Sequence, residues 1–165
     1  MLGGARSGKS TFAERLAGEL GGPVLYVATA TSSDQEMGQR IAEHRKRRPI
    51  TWSTLESPTS LAAIGDALGD ARTVLVEDLT LLLNNLVLAE GSVEAAESRA
   101  MAEVDALQAL TVDLVVVSNE VGMGVVPPTP LGREFRDALG RLNQHAAELL
   151  SEVYVLFAGL PLRLK

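Results

Sequence analysis

The chain has 165 residues, 46% of them hydrophobic, a net charge of -6 and no cysteine. That length suits a single domain over residues 1–165 with room for a real core. The missing thiols exclude disulfides and thiolate metal centres, which leaves magnesium held by oxygen as the natural metal. The acidic balance argues against a nucleic-acid partner. No apolar run approaches the ~20 residues that cross a bilayer. A glycine-rich loop rather than a signal peptide follows Met1, so a cytoplasmic protein without a membrane partner is expected.

Only Met1 and Leu2 precede that loop, which predicts a very short first strand or a chain that starts inside it. Phe12, Ala13, Leu16, Ala17 and Leu20 share one face at helical spacing from Ser10 to Leu20, and Gly21-Gly22-Pro23 stops the helix. Val24 to Thr29 reads as a buried strand. Ser32-Ser33-Asp34 caps a helix to about Arg48, with Met37, Ile41 and His44 on one stripe and Pro49 at its end. A connection through Trp52 and Glu56 leads to Ser57-Pro58, a helix start whose buried face is Leu61, Ile64 and Leu68. Thr73 to Val76 is the next strand, followed by a buried helix from Leu79 to Glu90 and another from Ser92 to about Leu110. Val112 to Ser118 reads most clearly as a buried strand. A loop from Val121 to Pro130 precedes a helix on which Leu131, Phe135, Leu139, Leu142, Ala146 and Leu149 keep the 3.6-residue period. Val153 to Phe157 is the last buried strand, and Gly159 and Pro161 turn the chain into a short edge segment. Strands alternating with helices predict a three-layer α/β fold around a mainly parallel sheet with a short C-terminal edge strand.

The chemistry starts at Gly3-Gly4-Ala5-Arg6-Ser7-Gly8-Lys9-Ser10, which matches the G-x-x-x-x-G-K-[ST] phosphate-binding loop in full. Glycines let several N–H groups converge on a phosphate, and the helix that follows, with Thr11 in its first turn, presents its positive end to the same anion. Lys9 would reach the outer phosphates of a nucleoside triphosphate and Ser10 would hold magnesium. Ligands of parallel sheets sit outside the carboxyl ends of the strands. That rule gathers Thr29-Ala30-Thr31, Glu77-Asp78 and Asn119-Glu120 around the loop. Glu77 and Asp78 suit magnesium or the activation of an attacking group, Glu77 ahead of Asp78; an acidic helix cap is the other reading.

His44 stands immediately before Arg45-Lys46-Arg47-Arg48. Position alone favours a partly buried histidine that completes a helix face. The adjacent cations, however, lower its proton affinity and leave a nucleophilic lone pair beside groups that bind a triphosphate. The cationic run is otherwise a solvated helix end. His145 lies beside the stripe of the long helix and reads as structural.

GGARSGKS (Gly3 to Ser10), YVATA, RIAEHRKRRP, WSTLE, SNEVGMGVVP (Ser118 to Pro127), FRDALGRLNQ and GLPLRLK span most of the chain. Together they resemble the bifunctional adenosylcobinamide kinase and adenosylcobinamide-phosphate guanylyltransferase family of cobalamin biosynthesis. The resemblance implies two reactions. A nucleoside triphosphate, ATP or GTP, phosphorylates the aminopropanol arm of adenosylcobinamide; GTP then donates GMP to adenosylcobinamide phosphate through a guanylyl group carried on His44. It further implies nucleotide contacts from the loop, Ala28, Thr29, Ala30, Arg45, Lys46, Arg47, Arg48, Glu56 and Glu77, a RecA-like P-loop fold and a homotrimer. Glu77-Asp78 stands where many relatives carry Asp-Cys, and Pro128 and Pro130 alter the loop after SNEVGMGVVP. Two narrower readings compete: a P-loop kinase with His44 structural, and a GTP-binding module whose Asn119 to Pro127 loop contacts a protein.

Overall fold

The computed structural model describes residues 1–31 and 48–165. The helix expected from the Ser32-Ser33-Asp34 cap, with His44, Arg45, Lys46 and Arg47, lies outside them; of its expected span only Arg48 is described. In chain order the elements are β1 (Leu2–Gly3), α1 (Lys9–Leu20), β2 (Val24–Ala28), β3 (Ser53–Glu56), α2 (Ile64–Ala67) and β4 (Thr73–Glu77). They continue through α3 (Leu79–Glu90), α4 (Val93–Ala106), β5 (Asp113–Val117), α5 (Pro130–Leu149), β6 (Tyr154–Phe157) and β7 (Leu160–Arg163).

Strands β3, β2, β4 and β5 form an all-parallel sheet in that order. Successive strand residues point to opposite faces, so a strand covered on both sides must be apolar throughout. Leu25, Val27, Val74, Val76 and Val116 pack with Leu79, Leu82, Leu83, Leu86, Leu139 and Leu142 on one face. Val24, Tyr26, Leu75, Val115 and Val117 pack with Ala13 and Ala17 of α1 on the other. Each fully buried side chain of this size contributes about 1.5–3 kcal/mol. Two helical layers thus sandwich one sheet, as the alternation of apolar runs implied.

The two-residue strand β1 is secured on both sides. It pairs in parallel with β6, Leu2 opposite Val155 and Gly3 opposite Leu156. On its other side the Ser118 N–H donates to the Met1 carbonyl at 2.9 Å and the Glu120 N–H to the Gly3 carbonyl at 3.0 Å. Backbone bonds therefore carry the sheet from β5 through β1 to β6, and the loop that follows β1 has its support despite the short strand. Strand β7 closes the far edge antiparallel to β6, as expected.

Three local expectations change. The connection through Trp52 is a strand, β3; Ser53, Thr54 and Glu56 are exposed at the sheet edge, so it lacks the apolar run that marks a buried strand. No helix starts at Ser57-Pro58, because the Glu103 carboxylate on α4 takes the N–H groups of Leu61 at 2.6 Å and Ala62 at 3.0 Å and holds a turn there. Regular helix is confined to Ile64–Ala67, although Leu61 and Ile64 are buried as expected. On α5 the Thr129 hydroxyl caps Gly132 N at 3.2 Å and Pro130 takes the first turn. Leu139, Leu142 and Ala146 are buried, whereas Leu131 and Leu149 at the ends of the stripe are 58% and 37% exposed, because the helix outruns the sheet it covers.

Candidate nucleotide site

Register places the strand ends in one row. Glu56 lies opposite Ala28, Ala28 opposite Glu77, and Glu77 opposite Val117. The loop from Gly3 to Ser10 arches at this edge. Gly8, at φ 93°, starts α1 in a conformation glycine adopts without strain, and a Cβ there would sit 3.1 Å from the Gly159 Cα. Gly159 also donates its N–H to the Ser7 carbonyl at 2.8 Å, so the β6–β7 turn pins the loop from beneath. Within the loop Ser7 N donates to the Gly4 carbonyl at 3.2 Å, and Arg6 sits in the left-handed region at φ 57°. Lys9 opens α1 with only 8% of its surface exposed.

Ser10 meets Glu77 across the edge, its hydroxyl donating to Glu77 Oε1. The two residues singled out for metal binding are therefore in contact, one from the loop and one from β4. Asp78 has a different task. Its Oδ1 accepts from Leu81 N at 2.8 Å and caps α3, while Oδ2 accepts from Asn119 Nδ2 at 3.1 Å. Burial pushes this carboxyl above the usual carboxylate range, against the Leu81 N–H and the nearby Lys9 cation, which pull it down. The capping reading thus holds for Asp78, and Glu77 is the residue that reaches the loop.

Thr29 is fully buried. Its hydroxyl accepts from Asp78 N at 2.7 Å and lies 2.8 Å from the Asp78 carbonyl and 3.0 Å from that of Glu77. The side chain is committed within the protein, while Ala28 and Ala30 on either side remain half-buried. Glu56 is exposed at the end of the row. Arg48 lies further back, with its guanidinium 3.7 Å over the Tyr26 ring and Nη1 3.3 Å from Thr54 Oγ1. Burial, and then the charge of Glu77, pushes the Tyr26 hydroxyl above its ordinary range.

Two asparagines were not singled out in the sequence. Asn85 Nδ2 donates to the Thr29 carbonyl at 2.8 Å and the Pro58 carbonyl at 3.0 Å, tying the ends of β2 and β3 to α3. Asn143 on α5 donates to the Asn119 carbonyl at 3.0 Å. Their signal was a lone amide on an otherwise buried helical face, beside Leu82 and Leu86 in one case and Leu142 and Ala146 in the other. Glu120 accepts from Gly122 N at 2.8 Å inside its own turn, and His145 faces Asp105 at 2.7 Å. Among the described residues no group of three or more acidic or histidine side chains could hold a metal ion. None of the described helices is long and apolar enough to cross a membrane.

A complete phosphate-binding loop at the carboxyl edge of a helix-flanked parallel sheet defines a P-loop α/β protein. The family model of cobinamide kinase / cobinamide phosphate guanyltransferase matches residues 1–164, and the chain belongs to that family. It is similar to the bifunctional adenosylcobalamin biosynthesis protein CobP of Pseudomonas aeruginosa, 48% identical over 166 residues that cover 100% of this chain and 95% of the relative. It is also similar to the bifunctional adenosylcobalamin biosynthesis proteins CobU of Escherichia coli and Salmonella typhimurium. Each is 39% identical over 178 residues, covering 100% of this chain and 98% of the relative.

Proposed function

We propose that one nucleotide site, built on the loop Gly3–Ser10, serves both activities of this bifunctional enzyme of adenosylcobalamin biosynthesis. Those activities are cobinamide kinase and cobinamide-phosphate guanylyltransferase. The contact between Ser10 and Glu77 is the observation that carries the reading, because it joins the phosphate cradle to the acidic end of β4. The backbone of Gly3, Gly4, Ala5, Arg6, Ser7 and Gly8 and the first turn of α1, with Thr11, surround the phosphates. Lys9 lies along the outer phosphates and offsets their charge.

The Ser10 hydroxyl and the Glu77 carboxylate form an oxygen-only donor pair that fits Mg2+. When bound there, the ion neutralises charge on the transferring phosphates. In the kinase reaction the substrate hydroxyl attacks the γ-phosphorus of ATP or GTP. A new O–P bond forms, the β–γ bridge breaks, the nucleoside diphosphate leaves, and the hydroxyl proton is released to solvent. Glu77 orients that hydroxyl, since Asp78 is committed to the cap of α3.

In the guanylyltransferase reaction a neutral His44 nitrogen attacks the α-phosphorus of GTP, and pyrophosphate leaves. Arg45, Lys46, Arg47 and Arg48 keep the imidazole neutral and offset charge on the leaving group. The phosphate of adenosylcobinamide phosphate then takes GMP from the phosphoramidate, giving adenosylcobinamide-GDP and restoring the histidine. Ala28, Ala30 and Glu56 line the nucleotide along the strand ends, while Thr29, committed within the protein, holds the strand ends beneath them. The chain acts as a single RecA-like domain, in a homotrimer, in the cytoplasm.

Mass spectrometry of the products tests this reading. Adenosylcobinamide with ATP, GTP and Mg2+ should yield first the phosphate and then the GDP derivative, and Lys9→Ala should lower both products by about 100-fold. Full formation of either product by Lys9→Ala would show that the two activities do not share the loop.

A further inference from the structure

We propose that Thr29 is a positioning residue whose hydroxyl aims Glu77 at the phosphate loop. This rests on the reading of Glu77 given above. Thr29 follows β2 directly, and its backbone and side chain are all engaged. Its N–H donates to the Glu77 carbonyl at 3.0 Å, and its own carbonyl accepts from Asn85 Nδ2 at 2.8 Å. The hydroxyl accepts from Asp78 N at 2.7 Å and returns its proton to the carbonyls of Asp78 at 2.8 Å and Glu77 at 3.0 Å.

These bonds lie at the point where β4 ends and ladder pairing no longer dictates direction. The last register pair between β2 and β4 is Ala28 with Glu77. Beyond it the peptide groups on either side of Asp78 are held by the Thr29 hydroxyl, and the Glu77 carbonyl by the Thr29 N–H. The Glu77 carboxylate then projects to the Ser10 hydroxyl from a backbone fixed on its carboxyl side. A packing role alone would not require threonine. Valine has the same shape, and a hydroxyl in a fully buried place is unfavourable unless it is hydrogen-bonded. Here it is bonded to both peptide groups that set the turn.

The test compares Thr29→Val, Thr29→Ser and Glu77→Gln with wild type. The readout is the affinity for a fluorescent GTP analogue without metal and at saturating Mg2+, alongside kcat and KM. Thr29→Val should lose about 10-fold or more of the affinity gained from Mg2+, measured as the ratio of its own affinities with and without the metal, and its kcat should fall more than its KM rises. Thr29→Ser should restore the gain, because it restores the hydroxyl. Glu77→Gln should lose the gain as well. If Glu77→Gln loses the gain and Thr29→Val keeps it, Thr29 does not position Glu77, although the role of Glu77 stands. If Glu77→Gln keeps the gain, the reading of Glu77 fails and the proposal falls with it. Should Thr29→Val not fold, Thr29→Cys, a poor donor of nearly the same volume, takes its place under the same criteria.

Discussion

Glu77 and Asp78 are neighbours with opposite surroundings, and the difference decides what each can do. Glu77 is half-buried and meets Ser10, whereas Asp78 is 8% exposed and spends both oxygens on internal N–H donors. Burial raises the folded-state pKa of Asp78 above its unfolded value of about 3.9. The sign follows from that direction. Its contribution to stability is fully present below the unfolded pKa and is lost as pH rises through the raised folded value. Asp78→Asn cannot titrate, so the stability of wild type relative to Asp78→Asn should increase as pH falls through the raised folded value towards the unfolded one. Urea unfolding of both proteins at several pH values checks this, and a constant difference would contradict it. Lys9 approaches the same carboxylate, so the Lys9→Ala variant should show a still higher Asp78 pKa, readable by carboxyl-labelled NMR.

At the scale of elements, the strand ends are fastened by polar residues set into apolar helices. Asn85→Ala leaves the carbonyls of Thr29 and Pro58 without their donor. It should cost about 1–3 kcal/mol in unfolding free energy. Thr129→Ala removes the cap of α5 and should cost about 0.5–2 kcal/mol while leaving nucleotide affinity unchanged. Strands buried on both faces were legible from the sequence: the runs over β2, β4 and β5 follow from apolar content alone, as does the helix from Leu79 to Glu90, which buries Leu79, Leu82, Leu83 and Leu86 and leaves Leu88 exposed. Strand β3 was not legible because it is polar and exposed at an edge. The turn at Ser57–Ala63 was not legible either, because its partner, Glu103, lies some forty residues further along the chain. Of the site, the loop motif and Glu77 could be read in the sequence. The cap at Asp78 was one of two local readings of that residue, whereas the duties of Thr29, Asn85 and Asn143 depend on contacts between elements that no local pattern records.

At the scale of the whole molecule, the loop and the strand ends converge because parallel strands all deliver their carboxyl ends to one edge. One nucleotide site can then serve two substrates in turn. The proposed homotrimer of 17.5 kDa chains predicts a sedimenting species of three times that mass, and a monomer at micromolar concentration would contradict it. In the proposed mechanism, GTP phosphates held by the loop are presented to a histidine nucleophile, His44. Incubation with α-labelled GTP and Mg2+ tests it most directly. Wild type should acquire label that survives base and is released by acid; Lys9→Ala should acquire far less, and His44→Ala none. Full labelling of His44→Ala, or an unlabelled wild type, would contradict the account.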